Sequence, residues 1–545
     1  MTSTQDNTGE MIVEKDIMVE TRDGSQISVN VYRPDGPGEH PVIVSMSPYG
    51  KDVYWPDRFP LFDVVDDGEH MVWETENPVW WVARGYAVVR ADTRGTGHSP
   101  GMLQLFSRTE HEDCYDVIEW AADEPWSTGK VGMSGISWFG MLAWAVAALK
   151  PPHLAAIVPW DGLSDFYREW AYQGGVLHNR FTPFWWESFV GPNQYGIDSL
   201  SAEELAANRI DFADEIREHP FVDDWHRERT PDLTQIEIPV LSASSWGSLH
   251  LHLRGNVEGY LDIPSKNKRL LLFPGDHISP FYKDWAYAER LRFFDRWLKG
   301  ISNGAELDPP VRMGLRAGDD IVWRDDTQWP PAQTEWRDFV LDAGTGRLGD
   351  DDAGSASVDY DSLEGSVVFT TPPVEGPVEV TGPGALSLWL STTAADTDVF
   401  LAIWHLDGKG EVVPAYGVLG DQLPHATGVL RASRRTLDAA RSTPTRPYHS
   451  HTEAVDVPRG EPIQLDIEIW PTSILMNAGD SLRLEISSQD RWYMPETQHD
   501  DPIDRDPQRF GGVNTVLTGG AHPSVLRLPF VAHEWDGTSS TSART

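Results

Sequence analysis

The stretch GKVGMSGISWFGMLAW, residues 129–144, holds two serines in glycine-rich company, Ser134 and Ser137. KVGM is a β-like run and WFGMLAWAVAAL is an apolar helical run, so SGIS forms the turn between them. Such a strand-to-helix turn lies at the carboxyl edge of a parallel sheet, where these folds bind ligands. Because the turn strains the backbone, it needs small neighbours such as Gly135 and Gly140. The stretch therefore predicts a serine hydroxyl that protrudes at the edge of a sheet.

Ser137 is the serine that we expect to act as a nucleophile. The helix that follows it points backbone N–H groups at the same place, where they can receive an oxyanion. Ser134 lies earlier, within the strand, and is predicted to be structural. The usual elbow is G-x-S-x-G, and here Phe139 takes the place of the second glycine. Since glycine-flanked serines are also common turn formers, a purely structural Ser137 stays an alternative.

The surrounding sequence predicts an α/β unit. Between residues 11 and 160, apolar β-like runs such as PVIVSMSP (41–48) alternate with helical runs, and LAAIVPWDG (154–162) is the next strand. This order implies a parallel sheet with right-handed crossovers, covered on both faces. Strand character resumes in IEIPVLSASSW and KRLLLFPGDH. We therefore assign residues 1–162 and 232–310 to one α/β core.

Two further units are predicted. Residues 163–231 are mostly helical and rich in aromatic side chains, which indicates a cap inserted over the carboxyl edge of the sheet. Residues 311–545 contain short strands such as DVFLAIWHL, separated by Gly, Pro and Asp turns at fairly regular spacing. That pattern is typical of a β-sandwich or jelly roll.

Composition and charge exclude several classes of protein. A formal net charge of −40 opposes binding to nucleic acid or to an anionic membrane face. The polar N-terminal segment lacks the apolar core of a signal peptide, and no run of about 18 apolar residues follows, so we expect a cytoplasmic protein outside the membrane. The lone Cys114 excludes an internal disulfide. A homo-oligomer stays open.

Several motifs together resemble a known family. GISWFG (135–140) is similar to the G-x-S-aromatic-x-G elbow of the cocaine esterase, α-amino acid ester hydrolase and Xaa-Pro dipeptidyl-peptidase (S15-like) family. SPYGK (47–51), DTRGTGHSPG (92–101), the Trp-rich cap and the C-terminal β domain follow in the family's order. The resemblance implies an α/β-hydrolase with a doubly wound, mostly parallel sheet and a helical cap insertion, followed by a C-terminal all-β jelly-roll domain.

The resemblance also implies roles for single residues. Ser137 matches the nucleophile, and His277 in FPGDHISP matches the general base that follows the last core strand. Tyr49 matches the oxyanion tyrosine, whose hydroxyl would act with the backbone N–H of Trp138. Packing of Tyr49 under the cap, and a helix-capping role for His277, are the structural alternatives.

The acid of the triad departs from the family's pattern. The family places it in a G-W-Y-D-like turn, but in SSWGSLHLH the aspartate's place is taken by Ser248. A serine cannot stabilise an imidazolium as a carboxylate does, and the physical requirement is a carboxylate within hydrogen-bond reach of the imidazole. We therefore predict that Asp161, at the end of LAAIVPWDG, is the acid, with Asp165 as second choice. The alternative for Asp161 is an N-cap of the next helix.

Substrate contacts are expected from the cap, whose aromatic side chains favour a bulky or aromatic group. Glu169 and Glu187 in the cap leave an α-amino-binding peptidase open. His250 and His252 form an H-x-H pair without further metal ligands at matched positions, so no metal site is predicted, and one histidine is expected to line the pocket. The predicted substrate-binding residues are Phe166, Trp170, Trp185, Trp186 and His250.

The sequence therefore predicts a serine hydrolase that cleaves a small-molecule carboxylic ester, or an amide, through an acyl-enzyme. No cofactor is expected. One alternative is an Xaa-Pro-type aminopeptidase or amidase. An alternative of another class is a catalytically lapsed protein that binds ligands through its jelly-roll domain, which the missing acid at Ser248 would support.

Overall fold

A computed structural model describes residues 11–54, 68–317, 320–350, 354–417 and 420–532. Two large β-sheets organise this part of the chain. The first sheet contains ten strands and lies among helices. The second contains twelve strands and belongs to the C-terminal part of the chain.

The first sheet has the spatial order β1-β2-β4-β3-β5-β6-β9-β10-β11-β12. Its strands from β4 to β11 in this order pair in parallel, and antiparallel pairs flank them on both sides. Their apolar runs are buried almost throughout, as expected for a sheet covered on both faces. The twelve strands up to Asp326 are β1 (Met11–Glu20), β2 (Gln26–Pro34), β3 (His40–Ser47), β4 (Ala87–Asp92), β5 (Ser127–Ile136), β6 (Leu154–Trp160), β7 (Tyr172–Gln173), β8 (Val176–Leu177), β9 (Val240–Ser245), β10 (Lys268–Phe273), β11 (Val311–Ala317) and β12 (Asp320–Asp326).

Side-chain caps start two of the helices outside the cap, Pro78–Val82 and Arg108–Asp123. Ser107 accepts a hydrogen bond from the N–H of Glu110 and starts the helix Arg108–Asp123, which ends just before Pro125. Every residue of the helix Trp138–Ala147 is buried. The α-helices of this unit are Pro78–Val82, Arg108–Asp123, Trp138–Ala147, Leu253–Asp262 and Asp284–Trp297, with 3-10 turns at Ser279–Tyr282 and Ala305–Leu307.

The predicted cap lies between β6 and β9. Besides helices it contains the two-stranded hairpin of β7 and β8, which helical patterning did not indicate. Two of its helical segments have π geometry. The segments are Phe166–Ala171 (π), Phe181–Trp185 (α), Trp186–Val190 (π), Gly191–Asn193 (3-10), Ala202–Ala207, Phe212–Glu218 and Asp224–Arg229 (all α), and Leu233–Gln235 (3-10).

The C-terminal part is almost entirely β, as predicted. However, β11 and β12, which the sequence analysis placed in the C-terminal unit, pair with the first sheet. Their apolar runs do not distinguish the two sheets. The remaining strands are β13 (Thr334–Asp342), β14 (Arg347–Gly349), β15 (Ala356–Asp361), β16 (Ser366–Thr370), β17 (Val378–Thr392), β18 (Asp398–Leu406), β19 (Val412–Val413), β20 (Ala415–Tyr416), β21 (Gln422–Leu423), β22 (Ala426–Arg431), β23 (Ile463–Met476), β24 (Ser481–Ser487), β25 (Val513–Thr518) and β26 (Val525–Val531), with short helices at Ala432–Arg434, Pro495–Thr497 and Pro507–Phe510.

Buried contacts join the C-terminal part to the rest of the protein. The guanidinium of Arg254 pairs with Glu169 of the cap at 2.8 Å and with Glu468 of β23 at 3.0 Å. A Cβ added to Gly247, just after β9, would lie 2.1 Å from the carbonyl oxygen of Tyr416. Within the described residues, no helix has both the length and the apolar character needed to cross a bilayer.

Candidate active site

Ser137 lies on the sharp turn between β5 and the helix Trp138–Ala147, with φ 56° and ψ −112°. A left-handed φ at a residue with a side chain costs on the order of 1–3 kcal/mol and persists only where the surroundings fix it. Here the N–H of Ser137 donates to the carbonyl of Trp160 on β6 at 2.9 Å. The predicted strained turn is therefore present, at the carboxyl edge of the first sheet.

Two glycines make this turn sterically feasible. A Cβ on Gly135 would lie 2.5 Å from Cβ of Phe139, and one on Gly140 would lie 2.8 Å from the carbonyl oxygen of Trp160. Gly140 therefore allows the helix to pack closely on β6. The glycine of this elbow stands one position later than in G-x-S-x-G, which explains how the turn accommodates Phe139.

Ser134 belongs to a buried polar network below the turn. Its hydroxyl donates to Oε1 of Glu76 at 2.5 Å. Glu76 also accepts from the indole of Trp81 at 2.6 Å and pairs with Arg290 at 2.9 Å. This network holds the loop that contains Glu76 against β5.

Tyr49 lies beside Ser137. Burial raises the pKa of Tyr49 well above its usual value, the charge of Glu74 adds to that rise, and hydrogen bonds with the Trp185 and Ser137 side chains oppose it. The Tyr49 hydroxyl therefore keeps its proton and can donate it. The indole N–H of Trp185 donates to the Tyr49 hydroxyl at 3.0 Å.

Trp138 is the first residue of its helix, so its backbone N–H has no carbonyl partner within the helix. Its indole ring stacks on that of Trp185 with a centroid separation of 5.3 Å. The structure thus brings the Trp138 N–H and Tyr49, the two predicted oxyanion donors, to the turn that carries Ser137.

The imidazole of His277 is bonded at both nitrogens. Nδ1 lies 3.0 Å from Oδ2 of Asp161, and Nε2 lies 3.1 Å from Oε1 of Glu74. Burial by itself would lower the pKa of His277, but the bonds to Asp161 and Glu74 outweigh it and raise the pKa to about 10. No hydrogen bond joins His277 to Ser137 in the described part of the chain.

Asp161 is completely buried at the end of β6. Its Oδ1 accepts hydrogen bonds from the hydroxyl of Ser244 at 2.6 Å and from the N–H of Ser245 at 2.9 Å. These two donors leave Oδ2 directed at Nδ1 of His277. Asp161 therefore contacts the imidazole in the way that the prediction required.

Asp165, the second choice for the acid, lies elsewhere. It caps the π-helix Phe166–Ala171 by accepting from the N–H of Arg168, and it pairs with the Arg168 guanidinium at 2.8 Å. Burial opposes its ionisation, but Arg168 and Arg254 outweigh that effect and lower the pKa of Asp165 to about 2. The N-cap role weighed for Asp161 thus belongs to Asp165.

The turn after β9, where the family resemblance places the acid, holds no carboxylate. Ser248 is buried, and its hydroxyl has no hydrogen-bond partner among the described residues. His252 from the same segment stacks on His277 with a centroid separation of 5.0 Å and an interplanar angle of 6°. Burial lowers the pKa of His252 well below its usual value, so this ring is neutral beside the imidazole of His277.

Glu74 is the residue that the sequence analysis missed. It lies in the loop MVWETEN (71–77) with φ 64° and is 4% exposed. Burial raises the pKa of its carboxyl, while the hydrogen bond to His277 opposes that rise. The loop holds two carboxylates, Glu74 and Glu76, but no motif connected either of them to the site.

The predicted substrate-binding residues lie in different surroundings. Trp185 contacts Tyr49 and Trp138, whereas Phe166 and Trp170 pack into the aromatic interior of the cap with each other. Substrate binding by these residues stays a prediction. His250 is buried against Phe181 and Tyr493, and Trp186 lines a cavity of about 170 Å³ with Thr182, Pro183, Trp185, Glu187 and residues 209–213.

The site is nearly closed to solvent. Ser137 is 7% exposed, Tyr49 5% and His277 8%. Among the described residues, Asp16, Asp52 and His98 form the single group of side chains close enough together to share a metal ion. These three are surface residues outside the Ser137 site, and Lys51 Nζ already lies 2.7 Å from both aspartates.

Comparison with known proteins connects this geometry to a family. The sequence model of the family X-Pro dipeptidyl-peptidase (S15 family) matches residues 23–279. A second family model, the X-Pro dipeptidyl-peptidase C-terminal non-catalytic domain, matches residues 303–527. A cocaine esterase of Rhodococcus sp. (strain MB1 Bresler) is 26% identical over 96% of this chain and 99% of its own length.

Two further relatives have related names. A protein of Streptomyces avermitilis named as a putative Xaa-Pro dipeptidyl-peptidase is 26% identical over 71% of this chain and 63% of its own length. The solved structure of a CocE/NonD family hydrolase from Staphylococcus aureus is 31% identical, with a TM-score of 0.88, and covers 96% of this chain and 94% of that one. The predicted fold class is thereby confirmed, and the chain belongs to the S15-like family of serine hydrolases that includes the CocE/NonD enzymes.

Proposed function

We propose that the protein hydrolyses carboxylic esters with a bulky or aromatic group, with Ser137 as nucleophile, His277 as general base and Asp161 as the acid that orients it. The observation that carries this proposal is the pair of hydrogen bonds around Asp161. One carboxylate oxygen is fixed by Ser244 and Ser245 at the end of β9, and the other accepts from Nδ1 of His277. A carboxylate in this position sets the imidazole tautomer and stabilises the imidazolium.

In the proposed reaction, Nε2 of His277 takes the proton of Ser137 as its oxygen attacks the substrate carbonyl. The developing oxyanion accepts hydrogen bonds from the Tyr49 hydroxyl and from the Trp138 backbone N–H. His277 then passes the proton to the leaving alkoxide. Water, deprotonated by the same imidazole, releases the acid from the acyl-enzyme and regenerates Ser137.

Two buried carboxylates are already bonded within the protein, which favours an ester over a peptide with a free amino terminus, whereas Glu187 is exposed and lines the cavity beside Trp185. Glu169, a cap carboxylate that could bind an α-ammonium group, is fully buried and paired with Arg254 at 2.8 Å. The carboxylate of Glu74 is bonded to His277. The walls beside Ser137 are aromatic, with Trp138 and Trp185 in stacked contact, and such walls suit an apolar group.

The Xaa-Pro-type peptidase is retained as the second candidate because the S15 model and the Streptomyces relative carry that name. The experiment compares kcat/KM for an aryl ester with kcat/KM for a Gly-Pro anilide on the full-length protein. We expect the ester to be the better substrate. A reversed preference would establish the peptidase instead.

Ser137→Ala serves as the matched control for both substrates. Loss of the nucleophile should lower kcat by about 10⁶-fold, because removal of this group disables the triad as a unit. Labelling of the wild type, but not of this variant, by a fluorophosphonate should accompany that loss. An unlabelled wild type without turnover would instead indicate a lapsed enzyme that serves as a binding protein.

A further inference from the structure

Glu74 occupies the position on His277 that the nucleophile needs. A neutral imidazole has one N–H donor and one acceptor nitrogen, and Asp161 takes the donor at Nδ1. At Nε2, either the imidazolium N–H donates to the Glu74 carboxylate, or a neutral nitrogen accepts from the protonated carboxyl group. In both protonation states the Nε2 position is taken by Glu74 at 3.1 Å and is not available to Ser137.

The contact is held in place by a well-anchored loop. The carbonyl of Glu74 accepts from the N–H of Ile136, the residue before Ser137, at 3.0 Å. The carbonyl of Thr75 accepts from the hydroxyl of Tyr282 at 3.0 Å. Two residues after Glu74, Glu76 is bonded to Arg290. The strained φ of Glu74 therefore directs its side chain at His277 from a fixed backbone.

We propose that Glu74 is a positioning residue that holds the general base out of use in the resting enzyme, because its carboxylate occupies Nε2 of His277 and must leave before Ser137 can transfer its proton. This inference rests on the proposed function. The raised pKa of His277, about 10, agrees with an imidazolium bonded by carboxylates on both sides. The Ser137 side chain meanwhile lies beside Tyr49 and opposes the rise of the Tyr49 pKa.

The contact is released when the His277 imidazolium loses one proton. The Nε2–H bond of His277 breaks, and the proton passes to solvent. The neutral nitrogen and the Glu74 carboxylate are then both acceptors, so no hydrogen bond remains between them. The hydroxyl of Ser137 is a donor, and it takes the position that the carboxylate leaves.

Other charged and titratable groups also lie near this contact, among them Glu110, which acts on Tyr49 and whose pKa burial raises to about 8. His252 faces the imidazole of His277 as a neutral ring. His250 also has a pKa lowered by burial, to about 3. Asp276 beside His277 directs its Oδ1 to the backbone N–H groups of residues 278 and 279. Burial raises the pKa values of Tyr49 and Tyr282, and the charge of Glu74 adds to the rise, so both side chains stay neutral.

The test measures the second-order rate of fluorophosphonate inactivation of the full-length protein between pH 6 and pH 10.5. In the wild type we expect the rate to rise about tenfold per pH unit towards a plateau near the pKa of His277, about 10. In Glu74→Gln, which removes the carboxylate but keeps a donor amide, the midpoint should fall by at least roughly one pH unit, and the rate at pH 7 should rise about tenfold or more.

Glu110→Gln is the matched control. Glu110 is also buried and also affects Tyr49, but its carboxylate accepts from Thr93 and from the N–H of Phe106 rather than from His277. Its midpoint should equal that of the wild type. A merely structural role of Glu74 would lower the rate at every pH and leave the midpoint unchanged, which would overturn the proposal.

Two outcomes need no variant at position 74. A wild-type midpoint at the ordinary histidine value, near pH 6.5, would show that Glu74 does not hold the base and would sink the inference even if Glu74→Gln failed to fold. Labelling that does not depend on Ser137 at any pH would overturn the proposed function, and the inference with it. Labelling that Ser137→Ala abolishes, with equal midpoints in wild type and Glu74→Gln, would overturn the inference alone.

Discussion

Two neighbouring turns at the carboxyl edge of the first sheet differ in what they offer to His277. The turn after β6 holds Asp161, whose carboxylate bonds Nδ1 of the imidazole. The turn after β9 holds Ser248, whose buried hydroxyl has no hydrogen-bond partner among the described residues. Since parallel strands end at the same edge, either turn can bring a carboxylate to one imidazole. The chemistry fixes the group and its reach but not the strand that carries it.

The end of β9 and the turn after it support this arrangement. Ser244 and the N–H of Ser245 hold Oδ1 of Asp161 at 2.6 and 2.9 Å, and His252 stacks on His277. The turn after β6 therefore supplies the charge, and the last two residues of β9 supply the donors that orient it.

The largest effect is expected for Asp161→Asn, which removes the carboxylate of the turn after β6. We expect kcat for an aryl ester to fall by about 10⁴-fold, because an amide at this position favours the wrong imidazole tautomer and cannot stabilise the imidazolium. Thermal unfolding would verify that the variant is folded. Near-normal turnover in a folded variant would assign the acid role to another residue.

The double variant Asp161→Asn with Ser248→Asp tests whether the turn after β9 can supply the carboxylate instead. A carboxylate at the turn after β9 should recover at least roughly tenfold of the lost kcat, because that turn lies at the same sheet edge and the family resemblance places an acid there. The control is Ser248→Asp alone, where two buried carboxylates compete and turnover should fall. A folded double variant without any recovery would mean that position 248 cannot reach the imidazole.

The smallest effect is expected for Asp165→Asn, which tests the excluded candidate. The kcat should stay within about threefold of the wild type, while the free energy of unfolding at pH 7 falls by about 1–3 kcal/mol because Arg168 loses its charged partner. The folded pKa of Asp165, about 2, is lower than its unfolded value. Its contribution is therefore complete above pH 4 and is lost as the pH falls towards 2. Equal acid stability of the two proteins would contradict this assignment.

The fold class could be predicted from the sequence because its signals are local. Apolar runs, helix breakers and the glycines at 135 and 140 each indicate a local structure from only a few neighbouring residues. The hairpin of β7 and β8 was missed because its strands are two residues long, too short for a period to show. The sheet to which β11 and β12 belong depends on long-range pairing, which an apolar pattern does not encode.

Only some residues of the candidate site could be predicted from the sequence. Asp161 was suggested by its place at a strand end, and the structure brings it to His277, although its role as the acid stays a proposal. Glu74 could not be predicted from the sequence, since no periodicity or motif ties residues 71–77 to a histidine about 200 positions later in the chain. Only the folded loop places that carboxylate on Nε2.

Close packing of Gly247 against the Tyr416 carbonyl joins the β-rich half to the turn after β9. Arg254 extends the same junction to Glu468 through a nearly buried ion pair. A shortened chain that stops after the hydrolase core would bare this seam and leave the guanidinium of Arg254 with one anionic partner fewer. The C-terminal half therefore packs against the sheet edge at which the candidate site lies.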